Sequence, residues 1–141
     1  MTRSEIRDSA FKLLFEQLLR GDDIEELYDI AEEIEEITVN DEVKKLVDGT
    51  LEHSEEIDGI IEGYSTSRKL SRMPKINHAI LRMAVYECLY DEKTPANAAI
   101  SEAVKLATTY TYKEDASFIN GVLGRFSRER LNSAKEAEEN A

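Results

Sequence analysis

Few side chains in this sequence are of the types that drive covalent chemistry: it has two histidines, one cysteine and no tryptophan. A bound zinc or related ion needs Cys, His or carboxylate ligands at short fixed spacings, such as Glu-x-x-His or CxxC, so that they converge on one point. Neither His53 nor His78 has such a companion. His53 reads as a surface residue on an acidic helix. His78, beside a basic segment, reads either as a phosphate contact or as a neutral, partly exposed imidazole. A di-metal helical bundle would need Glu-x-x-His pairs pointing inward, and the 30 acidic residues supply none. Gly121 and Gly124 fall inside a helical pattern rather than a phosphate-cradling loop, and close packing against a neighbouring helix is expected to explain them. These residues predict no catalytic site, no metal and no cofactor.

Binding is the chemistry that remains. Arg3 and Arg7, four apart, share one helical face, and Arg68, Lys69, Arg72, Lys75 and Arg82 follow in the second half. Two short basic elements meeting across a joint would hold a few phosphates, each contributing about −0.7 to the log-log salt slope for a single strand. The same arginines also suit surface ion pairs, worth about 0–1 kcal/mol each. Charge alone leaves both readings open. The phenylalanines Phe11, Phe15, Phe118 and Phe126 are at core-like helical spacing, with Phe15 the least settled because it shares a helix with Arg3 and Arg7.

The elements that must position these groups are helical throughout. Thr2 with Glu5 forms a capping-box signal, after which apolar residues recur at helical spacing from Ile6 to Leu19 and stop at Gly21. Asp23 opens a second helix with a stripe of Ile24, Leu27, Tyr28, Ala31 and Ile34. Asn40 caps a third that runs through Val43, Leu46, Val47, Leu51, Ile57, Ile60 and Ile61 to Gly63. The polar, basic stretch Tyr64 to Pro74 reads as a joint. Beyond it come a helix carrying Ile76 to Cys88, one opened by Thr94 and Pro95, and a last one that Asp115 can cap, before a charged tail from Lys135 to Ala141. No segment alternates with period two. The expected class is all-α, with six or seven helices in two small bundles, residues 1–64 and 65–141, forming one compact domain.

At 141 residues the chain can bury a core without disulfides. The lone Cys88, in an apolar stretch, fits a reducing compartment and hence the cytoplasm. Charged residues interrupt the N-terminal region too often for a secretory signal, and no apolar run suits a membrane span. A net charge of −12 opposes a nucleic-acid partner, but its distribution does not. Residues 21–62 hold two basic and seventeen acidic side chains, whereas residues 63–90 hold five basic and one acidic. The carboxylates of Glu25, Glu26, Asp29, Glu32, Glu33, Glu35 and Glu36 read chiefly as a solvated face.

Two segments carry a resemblance: KINHAILRMAVYECLY at residues 75–90 and TPANAAISEAVKLATTYTYKEDASFINGVLGRF at 94–126. In order and spacing they resemble the signatures of the NusB family, and the similarity extends to the weakly basic first helix. The resemblance implies two antiparallel helical subdomains, three helices and then about four. It also implies binding of single-stranded boxA RNA together with a small-subunit ribosomal protein, NusE, within an RNA polymerase antitermination complex active in ribosomal RNA operons. By position, it implies that Arg3 and Arg7 contact phosphates, that Phe15 edges the RNA surface, and that Arg68, Arg72 and Arg82 line it from the second half. Glu114 and Asp115 fall in the RNA-proximal loop, where a carboxylate is reasonable if it accepts from a base amino group or a 2′-hydroxyl. A homodimer is also compatible with this family. Many relatives open with several consecutive arginines, and this chain has only Arg3 and Arg7 near its start, so its RNA affinity is expected to depend strongly on the ribosomal-protein partner. A helical scaffold that docks a basic protein without touching RNA is the competing expectation. NusB-like domains also occur fused to RNA methyltransferases, but a binding protein without a nucleotide-binding domain is the expectation here.

Overall fold

A computed structural model describes residues 1–132, which form seven α-helices. The charged tail expected from Lys135 lies outside the described residues. Helix α1 spans Arg3–Arg20; the Thr2 hydroxyl accepts from the Glu5 N–H while the Glu5 carboxylate turns back on Thr2, and Gly21 ends the helix at φ 69. Helix α2 (Ile24–Ala31) buries Leu27, Tyr28 and Ala31 and stops there. Ile34, expected on the same stripe, therefore lies beyond the helix and is 40% exposed.

The third predicted helix is two helices, so four precede the joint and three follow it. Asn40 caps α3 (Asp41–Glu52) by accepting from the Val43 N–H, and the chain leaves helical geometry at His53 before α4 (Ser54–Tyr64). The apolar register runs on in phase through buried Thr50 to Ile57, which hides the break. The break has a chemical marker all the same. Glu55 and Glu56 in the first turn of α4 suit a helix start.

The joint holds a single 3₁₀ turn, Leu70–Arg72, and leads through Pro74 into α5 (Lys75–Tyr90). Helix α5 is buried on most of its circumference, and α1, α3, α4, α6 (Ala96–Tyr110) and α7 (Lys113–Phe126) all pack on it. A π-helical turn, Ser127–Leu131, follows α7. One continuous apolar core draws on all seven helices, from Phe11 and Leu14 of α1 to Leu123 and Phe126 of α7. Among the described residues there is no strand, and no helix is long and apolar enough to cross a membrane.

Candidate nucleic-acid interface

The joint and the start of α7 enclose a cleft of about 640 Å³, lined by Ser65, Thr66, Ser67, Arg68, Lys69, Arg72, Pro74 and Asp115. The proline and the short 3₁₀ turn keep this stretch out of an α-helix, which leaves its hydroxyls and cations on the surface. Lys69 and Arg72 are exposed. Arg68 is half-buried: it donates from Nη1 to Asp115 Oδ1 at 2.8 Å, and its guanidinium lies 4.5 Å above the Phe118 ring. Asp115 also accepts from Asn77 Nδ2 at 3.0 Å. The hydrogen bonds from Arg68 and Asn77 hold the Asp115 carboxyl below its ordinary range. Asp115 is thus not the cap of the last helix: α7 begins at Lys113, Tyr112 is its N-cap residue, and the carboxylate turns to the joint instead. Glu114, beside it, is exposed.

The other arginines lie elsewhere. Arg3 donates from Nη2 to Asp91 Oδ2 at 2.7 Å and to Thr94 Oγ1 at 3.0 Å, beyond the C-terminal end of α5. The joint cleft lies at the N-terminal end of the same helix, through Asn77. The 16 residues of α5 separate the two by about 20 Å at 1.5 Å rise per residue. Arg7, expected on phosphate, is buried, and its Nε faces both oxygens of Glu87 at 2.9 Å. One turn further along α1 than Arg3, it has entered the core. Arg82 is also engaged inward, with Nε and Nη2 at 2.8 and 2.6 Å from the two Asp58 oxygens. The expected strip of Arg3, Arg7, Arg68 and Arg82 is therefore not assembled.

His78 is buried rather than at a phosphate, with Nε2 2.7 Å from Asp58 Oδ1. Burial pushes the Asp58 carboxyl up, but the hydrogen bonds from Arg82 and His78 outweigh it and bring the group to about 2. Phe15 is half-buried and stacks on Phe11 at 6.1 Å. His53 is not a bare surface group: its ring stacks on Tyr90 at 4.1 Å. The glycine expectation also fails, since among the described residues Gly121 is exposed with open space around it and Gly124 meets only the Arg128 guanidinium. Cys88 is half-buried, and burial pushes its thiol up to about 12. Sequence reasoning passed over the Asp8, Lys12 and Tyr110 network, which links α1 to α6. No local spacing signals a contact between residues 102 apart.

Comparison with known proteins accords with this architecture. The NusB family profile matches residues 4–128. The chain belongs to the NusB family. Among relatives, the transcription antitermination protein NusB of Acetivibrio thermocellus is 40% identical, over 95% of this chain and 94% of its own. That of Ruminiclostridium cellulolyticum is 36% identical over 99% and 97%. Among solved structures, one of antitermination factors NusB and NusE in complex with dsRNA superposes with a TM-score of 0.79 at 31% identity, covering 89% of this chain and 96% of that one. Within this NusB-family chain, the joint cleft brings several cations and hydroxyls together at the surface.

Proposed function

We propose that this protein is a cytoplasmic transcription antitermination factor that binds single-stranded boxA-type RNA together with the ribosomal protein NusE, as part of an RNA polymerase antitermination complex. It promotes read-through, notably in ribosomal RNA operons, and acts by binding rather than catalysis. The observation that carries the reading is the joint cleft, a concentration of Arg68, Lys69 and Arg72 on a chain of net charge −12. Its relatives' names and the solved assembly of a NusB with NusE and RNA support it. In this reading Arg72, Lys69 and Arg68 hold phosphates, while Asp115 and Glu114 accept from base amino groups or 2′-hydroxyls. Phe118 and Phe15 offer ring surface at the edges. Arg7 and Arg82 act on RNA only by holding the helices in place.

With only Lys69 and Arg72 outside ion pairs in the cleft, among the described residues, the isolated chain binds RNA weakly, and NusE supplies the remaining surface. Titration of a labelled boxA oligonucleotide with the chain alone and with its NusE complex tests this. Much tighter binding by the complex, lost with Arg72→Glu, is expected. Equal affinity with and without NusE would contradict the dependence, and an unaffected Arg72→Glu complex would contradict the cleft. A duplex of the same sequence serves as the comparison, since the related structure holds dsRNA.

One observation favours a second reading. The carboxylates Glu25, Glu26, Asp29, Glu32, Glu33, Glu35 and Glu36 are all exposed, and Ile30 is 45% exposed among them. That face suits a basic protein. If RNA binding by the complex survived reversal of every cleft cation, the scaffold reading would take its place.

A further inference from the structure

We infer that a second pocket, at the C-terminal end of α5, takes up one unpaired nucleobase of the bound RNA. This inference rests on the RNA-binding reading above and adds a separate site to it. The pocket measures about 420 Å³, within the range of small-ligand sites. Buried Ile6 and Leu46 form its apolar floor, and Tyr86 and Tyr90 line its wall.

The wall is preset. A Cβ at position 49 would overlap the Tyr86 hydroxyl oxygen, so Gly49 is what admits that ring against α3. Tyr90 stacks on His53 at 4.1 Å and 19° between planes, and its hydroxyl donates to Glu56 at 2.6 Å. Tyr90 is nonetheless 40% exposed. A held, partly exposed ring is what an unstacked base needs, and such stacking tolerates any base because each has a π-face.

The rim adds selectivity. Lys45 and Lys93 line it, and neither takes part in an ion pair among the described residues. They are placed for the flanking phosphates. Arg3 also reaches the rim, though Asp91 engages it. Glu42 and Glu92 stand at the same rim. Carboxylates repel phosphate but accept from exocyclic amino groups, which adenine, cytosine and guanine carry, whereas uracil offers them only its ring N3–H. The pocket therefore favours amino-bearing bases over uracil. A lysine or arginine side chain from a partner is the competing occupant; the rim lysines repel it and match one for one the rim glutamates that would attract it.

The pocket and the joint cleft lie at opposite ends of α5, about 20 Å apart by helical rise. A strand seated in the cleft reaches the pocket only through several further nucleotides. Short RNA is accordingly blind to the pocket, and longer RNA is not.

The test uses the full chain with ring-labelled tyrosines, titrated by NMR with AMP, CMP, GMP and UMP. Saturable shifts at Tyr86 and Tyr90 are expected with the first three and severalfold weaker ones with UMP; Tyr90→Ala abolishes them and Tyr90→Phe largely keeps them. In the NusE complex, Tyr90→Ala is expected to weaken binding of a long boxA-containing RNA by about 5- to 160-fold and to leave a short cleft-filling oligonucleotide unchanged. Lys45→Glu should do the same with a shallower salt dependence. The inference is overturned if no mononucleotide moves those two rings at millimolar concentration, if an oligolysine peptide moves them and nucleotides do not, or if long-RNA affinity ignores Tyr90→Ala. Failure of the wild-type complex to bind RNA would instead sink the RNA-binding reading, and the mononucleotide titration would still decide the pocket.

Discussion

The Arg7 guanidinium donates to a Glu87 side chain that is itself only 1% exposed, and burial holds that carboxyl above its ordinary range despite the arginine. Removing one partner of such a pair leaves an uncompensated buried charge, at a cost of about 3–5 kcal/mol. Arg7→Met is expected to lower stability by roughly 3 kcal/mol in urea unfolding and to leave the RNA affinity of the folded complex unchanged; a loss of RNA affinity without loss of stability would return Arg7 to the interface. Arg68 is the contrasting case, because its charge is partly consumed by Asp115 at 2.8 Å. Asp115→Asn frees that charge but gives up the carboxylate that accepts from the RNA, so weaker binding with a steeper salt slope is expected. Tighter binding would mean that Asp115 serves only to hold Arg68. The sequence shows that Arg3 and Arg7 share a face, but not that a carboxylate 80 residues away claims one of them. Helical spacing reports the face a residue is on, and only the tertiary fold reports its depth.

At the scale of elements, local chemistry was readable wherever a helix end carries its own signal. The capping box at Thr2, the left-handed Gly21 and the Asn40 cap all stand where the residues indicate. The break at His53 escaped because Val47, Thr50 and Ile57 stay in register across it. The role of Asp115 escaped for a different reason: its first-turn position suits a cap, while its partners come from the joint and from α5. Glycines show the same limit. Gly121 sits in an exposed helix face, with no positive φ and nothing within 4 Å of where a Cβ would stand, so Gly121→Ala should stabilise the protein by about 0.5–1 kcal/mol. Gly49→Ala has the opposite sign, because the new methyl meets the Tyr86 hydroxyl; a loss of about 1–3 kcal/mol is expected. Paired thermal melts of the two variants check both, and a shift of the same sign in each would contradict this packing.

The whole molecule is anionic, yet its charge is unevenly laid out, and that unevenness was visible in the sequence as an acidic first half and a basic joint. What the sequence did not reveal is that most arginines of the expected strip are spent on internal pairs. One of these sets the acid response. The Asp58 carboxyl lies at about 2 in the folded protein, against roughly 3.9 unfolded. A depressed carboxyl contributes stability above its unfolded value and loses it as pH falls toward the folded one. About 2 kcal/mol should therefore disappear between roughly pH 4 and 2, and Asp58→Asn should flatten that part of the stability profile; an unchanged profile would place the acid sensitivity elsewhere.

The proposed function turns on RNA phosphates seated in the joint cleft. The salt dependence of boxA RNA binding by the NusE complex, measured for the wild type and for Arg68→Gln with Arg72→Gln, tests it most directly. Each lost phosphate contact should make the log-log slope shallower by about 0.7, hence by up to about 1.4 for the pair. The predicted result is weaker binding with that shallower slope. An affinity and slope equal to the wild type's would mean that Arg68 and Arg72 hold no phosphate.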